Sequence, residues 1–312
     1  MGTVVPAQRG RRVVSAVIDL AEPGPAPTSA GGAATGAQGP VRTGGSFGRR
    51  VAWGVLRSLG TFVLVGALLL GLWVGFLEVF DVNSYVGKTP TQVWDWVTDP
   101  VAGAERRDEL WEATKETLVE AGLGFLTGLT AAVVVAVAFV LSRSLERAVM
   151  PIALALRSVP IVAMVPLLAY IFGRELVGSL VIVSIIVWFP ALVLVSNGLR
   201  SVRPEALDLL RAYDAGPLTQ LVKVRLPSAI PSLVASAKVC APLAILGSLL
   251  NGWLSTGTGL GALMSLSTIT AEFSKLWAAV VIVTVVSVLF AAVVTALEQV
   301  TLARWAPERA TR

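Results

Sequence analysis

The sequence has no histidine and a single cysteine, Cys240, among its 312 residues. An intramolecular disulfide is therefore excluded, and a metal site built from histidine and cysteine has no ligand set. Charged residues make up only 14% of the chain, and no nucleophile stands beside a base in a catalytic pattern. We predict no catalytic residues and no bound metal, so the chain is not expected to be an enzyme.

Apolar residues are abundant instead, at 55% of the chain, and the mean hydropathy is +0.76. This composition is typical of a membrane protein, and it predicts an all-α polytopic fold whose helices contact the lipid bilayer. The net charge of +5 does not indicate nucleic acid, because the basic residues flank apolar runs, as membrane orientation requires.

Residues 1–48 differ from the rest of the chain, since Gly, Ala, Pro, Ser and Thr dominate them and apolar residues are few. Such a segment cannot bury enough surface to fold, so we predict a disordered N-terminal tail. The transmembrane part is expected at 49–305, and residues 306–312 are expected to form a short C-terminal tail.

Six apolar segments are long enough to cross a bilayer of about 30 Å as helices. They lie at about 59–77, 118–141, 152–172, 176–195, 233–254 and 276–297. Between the first two, residues 81–116 carry eight acids against four bases, whereas residues 200–227 carry five bases against three acids. Basic loops remain inside, so we predict a multi-pass cell membrane protein with both termini in the cytoplasm.

Individual spans carry further signals. Gly124 and Gly128 form a G-x-x-x-G pattern that indicates close helix packing, although this pattern is also common by chance. Pro160 and Pro166 interrupt the third span, which indicates that it lines a cavity.

Lys238 in the fifth span is expected to reach back to the inner interface rather than to contact solute. Since charges within the spans are otherwise almost absent, ion coupling is disfavoured and another protein must supply the energy.

One long polar interval, residues 203–231, separates the fourth and fifth spans. Pro204 suits the first turn of a helix, Glu205 favours its N-terminus, and Ala215-Gly216-Pro217 ends it. A second short helical piece, 218–225, is expected to end at Leu226-Pro227. The basic residues of this interval are typical of a surface that rests on a cytoplasmic partner, and an ordinary basic loop is an equally good interpretation of the residues alone.

The spacing within this interval resembles the EAA loop of bacterial ABC importer permeases: Glu-Ala-Ala, three residues, Gly, nine residues, Ile, one residue, Leu-Pro. The same register here reads Asp208-Leu209-Leu210, Asp214, Val224 and Leu226-Pro227. Asp214 replaces the glycine of the turn. Either Asp214 adopts a left-handed conformation at some cost, or Gly216 has taken over the turn.

Two other stretches are similar to permeases of the nitrate, sulfonate and taurine importer subfamily. One is K-T-P-T-Q-V-W at residues 88–94, which is expected to begin a short helix. The other is P-I-A-L-A-L-R-S-V-P-I-V-A-M-V-P-L-L-A-Y-I-F-G at residues 151–173. The resemblance extends over about residues 58–303. It implies a type I ABC importer permease with six transmembrane helices and a cytoplasmic coupling helix within a coupling loop at 203–227.

The resemblance also implies partners and site residues. Two permease chains sit on two ATPase subunits, which bind ATP and Mg, while this chain binds no cofactor and an extracytoplasmic binding protein delivers the solute. The implied ATPase-coupling residues are Arg203, Glu205, Asp208, Leu209, Leu210, Arg211, Ala212, Tyr213, Asp214, Ala215, Gly216, Pro217 and Leu218. The residues expected on the solute path are Arg157, Ser158, Pro160, Ser248 and Asn251. For Ser248 and Asn251, hydrogen bonding between helices is an equal alternative.

The sequence departs from the subfamily before Gly259-Leu260-Gly261. The subfamily generally has an acidic residue seven positions before this Gly-Leu-Gly, and here Asn251-Gly252 stands there, so the acid is missing. With the altered coupling loop, this departure predicts pairing with a second, different permease rather than with a second copy. A small organic or inorganic anion such as a sulfonate, taurine or nitrate is the expected solute. The alternatives are a membrane scaffold without transport activity and half of a secondary transporter.

Overall fold

The computed structural model describes residues 64–305, with side chains up to Thr301. The predicted tails at 1–48 and 306–312 and the start of the first predicted span lie outside the described residues. Within the described part, all regular structure is helical. The helices are α1 (Leu64–Val79), α2 (Pro90–Thr98), α3 (Gly103–Leu141), α4 (Arg143–Ser158), α5 (Ile161–Phe172), α6 (Leu176–Arg200), α7 (Pro204–Ala212), α8 (Pro217–Gln220), α9 (Leu226–Asn251), α10 (Gly259–Ile269) and α11 (Phe273–Trp305).

Four described helical segments are long and apolar enough to cross a membrane: α3, α6, the continuous segment Pro217–Thr256, and α11. A fifth is reached if α4 and α5 together count as one broken span. The shorter apolar helix α1 overlaps the first predicted span. The described part of the chain therefore has an all-helical, polytopic architecture with four to five candidate spans, where the sequence predicts six.

The third predicted span is not one continuous helix, because α4 and α5 meet at 106°. Val159 is extended there, with φ −75° and ψ 128°. Pro160 explains this break, since its ring disfavours helical backbone at the preceding residue and it has no N–H to donate. We call residues 157–161 the elbow.

Helix α3 is longer than the second predicted span, because it contains 39 residues and begins at Gly103. The second half of the predicted outer loop therefore continues this helix. The first half holds α2, where Thr89 and Gln92 form a capping box. The short helix that the sequence predicts after Lys88 is thus present.

The core consists of α3, α6 and α9 packed side by side. A Cβ atom built on Gly124 would lie 2.5 Å from the Cβ of Val183, and one on Gly128 would lie 2.7 Å from the carbonyl oxygen of Ser184. Both contacts are closer than side chains allow, so the backbones of α3 and α6 approach each other because these positions are glycine. The predicted close-packing face is confirmed.

The helix after α8 does not end at Leu226-Pro227. Residues Leu221–Arg225 form a π turn, and the helix runs unbroken from Pro217 to Thr256. In the π turn the N–H of Leu226 donates to the carbonyl of Leu221, five residues back. This wider turn accommodates the missing N–H of Pro227 without breaking the helix.

Helix α11 packs against α9 and α1. Lys238 on α9 pairs with Glu298 on α11 at 3.2 Å between Nζ and Oε2. The rings of Trp73 on α1 and Trp277 on α11 stack with centres 4.9 Å apart. The first contact attaches α11 to the three-helix core, and the second attaches α1 to α11.

Candidate functional site

Helix α7 lies within the predicted coupling loop and has no buried residue. Pro204, Leu207, Asp208 and Arg211, spaced along one face of α7, line a cavity between this helix and the bundle. Leu209 lies on the opposite side of α7 and is 60% exposed. The helix therefore has one face toward the bundle and one exposed face.

Two further large apolar side chains that follow α7 in the chain are also exposed. Tyr213 is 79% exposed and Leu218, on α8, is 65% exposed. On a segment between membrane spans whose charged residues are mainly basic, such side chains indicate an interaction surface. Leu209, Tyr213 and Leu218 are three of the residues that the resemblance assigns to ATPase coupling.

The end of α7 answers the question of which residue forms the turn. Asp214 has a left-handed backbone with φ +53°, whereas Gly216 is extended, with φ −65° and ψ 167°. The N–H of Ala215 donates to the carbonyl of Leu210, and that of Asp214 donates to the carbonyl of Arg211. This is the Schellman pattern, with aspartate in the position that glycine usually takes.

The rest of the predicted coupling loop is held by local contacts. Gln220 Nε2 donates to the carbonyl of Ala215 at 2.8 Å, and Arg211 pairs with Asp208 at 2.9 Å. Pro217 occupies the first turn of α8. Arg203, Glu205 and Ala212 are exposed, as are Asp214, Gly216 and Pro217.

A buried polar cluster joins the three core helices, and we define it as Glu120, Ser179, Ser248 and Asn251. Ser179 Oγ donates to Glu120 Oε1 at 2.9 Å, and Ser248 Oγ donates to Glu120 Oε2 at 2.8 Å. Asn251 Nδ2 donates to Ser179 Oγ at 2.7 Å. All four side chains are buried, and Asn251 is fully inaccessible. The cluster thus links α3, α6 and α9 through one carboxylate.

Glu120 is the residue that the sequence analysis missed. The second predicted span includes it, yet charges within the spans were expected to be almost absent. A carboxylate three residues into an apolar run was the available signal, since buried ionisable groups in membrane helices are rare and usually have a role. Its two serine partners lie 59 and 128 residues away, so spacing could not identify them.

The structure also accounts for the missing acidic residue before Gly259-Leu260-Gly261. A Cβ atom on Gly252 would already lie 2.5 Å from the carbonyl oxygen of Thr258, so no side chain fits there. Instead, α3 supplies the side chains that bind the first N–H groups of α10. Glu116 Oε2 accepts from the N–H of Gly259 at 2.7 Å, and Thr117 Oγ1 accepts from the N–H of Leu260 at 2.9 Å.

The five predicted path residues fall into two groups. Arg157, Ser158 and Pro160 are exposed at the elbow, where the Arg157 guanidinium lies 4.9 Å from the ring centre of Phe189. Ser248 and Asn251 lie together in the buried polar cluster. In this conformation Ser248 and Asn251 make the contacts of the interhelical alternative.

A bundle of apolar helices with an internal polar cluster and an exposed helix between spans defines the class of multi-pass membrane transport proteins. The chain belongs to the family described as binding-protein-dependent transport system inner membrane component, whose sequence profile matches residues 124–302. It is therefore a permease component in the inner membrane and not itself the ATPase of an ABC transporter.

Individual relatives agree with this family. The chain is 28% identical over 232 residues to a probable ABC transporter permease protein of Haemophilus influenzae, covering 74% of this chain and 92% of the relative. It is 25% identical over 245 residues to the putative aliphatic sulfonates transport permease protein SsuC of Bacillus subtilis, covering 78% and 86%.

A solved structure shares the fold. A chain of the methionine ABC transporter MetNI in an inward-facing conformation matches with a TM-score of 0.53 and 22% identity, covering 65% of this chain and 99% of that chain. At this identity the likeness concerns the fold alone.

Proposed function

We propose that this chain is the permease subunit of an ATP-driven ABC importer with two cytoplasmic ATPase subunits, one of which docks on residues 203–218. The observation that carries this proposal is the exposed apolar face of Leu209, Tyr213 and Leu218. The resemblance of this segment to the EAA loop and the fold shared with a chain of MetNI support the same partner. Both termini would then lie in the cytoplasm.

The unbroken helix from Pro217 to Thr256 supports a coupling mechanism. Closure of the ATPase pair would displace α7 and α8, and the continuous helix would carry this displacement through the membrane as one body. Helix α6 is joined to α7 through Ser201, Val202 and Arg203, so it would move at the same time. Alternating access would follow as a two-state motion driven by differential contacts in the two states.

The solute path is proposed to run past Arg157, Ser158 and Pro160 at the elbow. Ser248 and Asn251 would face the solute only in a conformation in which the buried polar cluster has opened. The broken helix supports this placement, because irregular backbone within a membrane protein is tolerated where it lines a cavity.

We propose that the solute is a small organic or inorganic anion, such as a sulfonate, taurine or nitrate. The likeness to SsuC and the cationic Arg157 at the elbow favour an anion. An extracytoplasmic binding protein would deliver this solute, and a second, different permease chain would complete the membrane pair.

The test replaces Leu209 by aspartate in the tagged chain, which is then extracted with its co-purifying proteins and analysed by native mass spectrometry. Wild type is expected to retain two ATPase subunits and one different permease. Leu209→Asp is expected to lose the ATPase subunit that docks on this chain, because a buried carboxylate without a partner opposes docking.

Ser144→Asp is the matched control, since it adds the same charge at an exposed position outside residues 203–218. It should retain the ATPase subunits. A wild-type chain that carries no ATPase, or a Leu209→Asp variant with normal stoichiometry and solute-stimulated ATP hydrolysis, would contradict the proposed docking. Two copies of this chain in an active importer would contradict the pairing alone.

A further inference from the structure

A cavity of about 570 Å³ lies between α7 and the ends of α3 and α6. Five arginines line it, and they come from four separate segments of the chain. Arg143 and Arg147 are on α4, Arg200 ends α6, Arg211 is on α7, and Arg225 closes the π turn before α9. We call this space the arginine cavity.

The arginine cavity has an excess of positive charge, because only two carboxylates, Glu146 and Asp208, share it with the five arginines. Arg200 pairs with Glu146, and Arg211 pairs with Asp208. Among the described residues, Arg143 and Arg147 have no carboxylate within 4.0 Å. Within residues 64–301, the charge that remains faces an open space rather than a carboxylate.

One of the arginines is also held in position. Arg225 is half-buried, and its Nη1 donates to the carbonyl of Leu199, in the last turn of α6, at 3.0 Å. A guanidinium has five N–H donors in a planar fork, so the hydrogen bond to Leu199 leaves others for a ligand. Preorganised guanidinium groups are well suited to phosphate, which they bind through two parallel hydrogen bonds.

The remaining walls place the arginine cavity at the edge of the apolar bundle. Phe139 and Val140, in the last apolar turn of α3, and Val202 line it beside the arginines. The preference of basic residues for inner loops explains why these segments carry arginine. It does not explain why arginines from four segments converge on one cavity with an apolar wall.

We propose that the arginine cavity is a binding site for a phosphate group, supplied either by the headgroup of an anionic phospholipid or by free phosphate. Basic pockets at the cytoplasmic ends of membrane helices bind anionic headgroups, and the apolar wall would lie beside the glycerol and acyl region. The volume is within the usual range for small-molecule sites. This site faces the bundle side of α7 and does not depend on whether an ATPase docks on the opposite side.

The test uses the full chain with its co-purifying proteins in nanodiscs of phosphatidylcholine, with or without phosphatidylglycerol. Retained phosphatidylglycerol is counted by native mass spectrometry after extraction. In a second arm, the thermal unfolding temperature is measured with and without inorganic phosphate. Arg147→Gln removes one unpaired cavity arginine, and the Arg143→Gln/Arg147→Gln double variant removes both.

Lys223→Gln is the matched control, because Lys223 is exposed on the adjacent π turn but does not line the arginine cavity. We expect roughly fivefold weaker retention of phosphatidylglycerol for each arginine removed and little change for Lys223→Gln. Stabilisation by inorganic phosphate that is lost in Arg147→Gln, without lipid retention, would support the site with free phosphate as its source.

Three results would overturn the proposal. The first is no lipid retention and no phosphate response in the wild type. The second is an equal loss in Arg147→Gln and Lys223→Gln, which would reflect general surface charge. The third is density for an acidic side chain of a partner protein inside the arginine cavity of the assembled transporter. Because Arg143 and Arg147 are exposed and unpaired among the described residues, the variants are expected to fold, and an unchanged subunit composition of the complex in native mass spectrometry will show that they still assemble.

Discussion

The left-handed backbone at Asp214 ends α7 in a conformation that costs a residue with a Cβ atom about 1 kcal/mol or more. Aspartate tolerates this region better than most residues do, which explains why the turn forms without glycine. The sequence left two candidates for the turn, Asp214 and Gly216. Asp214 forms the turn because the hydrogen bonds at the end of α7 place the left-handed residue two positions after Ala212.

Substitutions at Asp214 should therefore separate backbone conformation from charge. Asp214→Gly and Asp214→Asn are expected to keep solute-stimulated ATP hydrolysis, because both residues adopt left-handed backbone. Asp214→Val should reduce it severalfold, because a β-branched residue is strained there. Loss of activity in Asp214→Asn at normal expression would show instead that the carboxylate itself is required.

Glu120 is the second residue whose role can be isolated. Its carboxylate accepts hydrogen bonds from the hydroxyl groups of Ser179 and Ser248 inside the bundle. Removing the acceptor leaves buried donors without a partner, at a cost of about 1–3 kcal/mol for each. Glu120→Ala should therefore lower the thermal unfolding temperature of the purified chain clearly.

Glu120→Gln should lie between wild type and Glu120→Ala, because the amide keeps one acceptor oxygen and replaces the other with a donor. Ser248→Ala provides a matched comparison, since it removes one hydrogen bond and leaves Glu120 in place. An unfolding temperature of Glu120→Ala equal to that of wild type would mean that the buried polar cluster does not stabilise the helix bundle.

At the scale of helices, the contact of α3 with α6 depends on the absence of side chains at two glycines. Gly122 is on the same helix, but a Cβ atom there would have no atom within 4 Å. Gly122 is therefore a matched control for packing at Gly124.

Gly124→Val is expected to destabilise the chain, because its side chain would collide with Val183 and push α3 away from α6. Gly122→Val introduces the same side chain at the open position and should be close to neutral. Thermal unfolding of the two purified variants, or their yields in the membrane fraction, tests this expectation. Equal loss in both would point to helix propensity rather than packing as the cause.

For the molecule as a whole, local patterns predicted what short stretches of sequence determine. The start of α7 at Pro204, the capped helix after Lys88 and the glycine face of α3 all follow from residues within one or two helical turns. The features that were missed depend on distant parts of the chain or on competing local effects. The partners of Glu120 are of the first kind. The π turn before Pro227 is of the second kind, and so is the 106° bend at the elbow, since the prolines predicted an interruption of the third span but not its angle.

The length of α3 has a consequence for how this molecule can be studied. At 1.5 Å per residue, its 39 residues span roughly 58 Å, about twice the thickness of the hydrocarbon layer, and none of them is proline. Probes near Arg107 and Ala138 should therefore keep a constant separation through a transport cycle. Helix α3 would then serve as an internal reference length, against which changes in distance across the elbow can be measured.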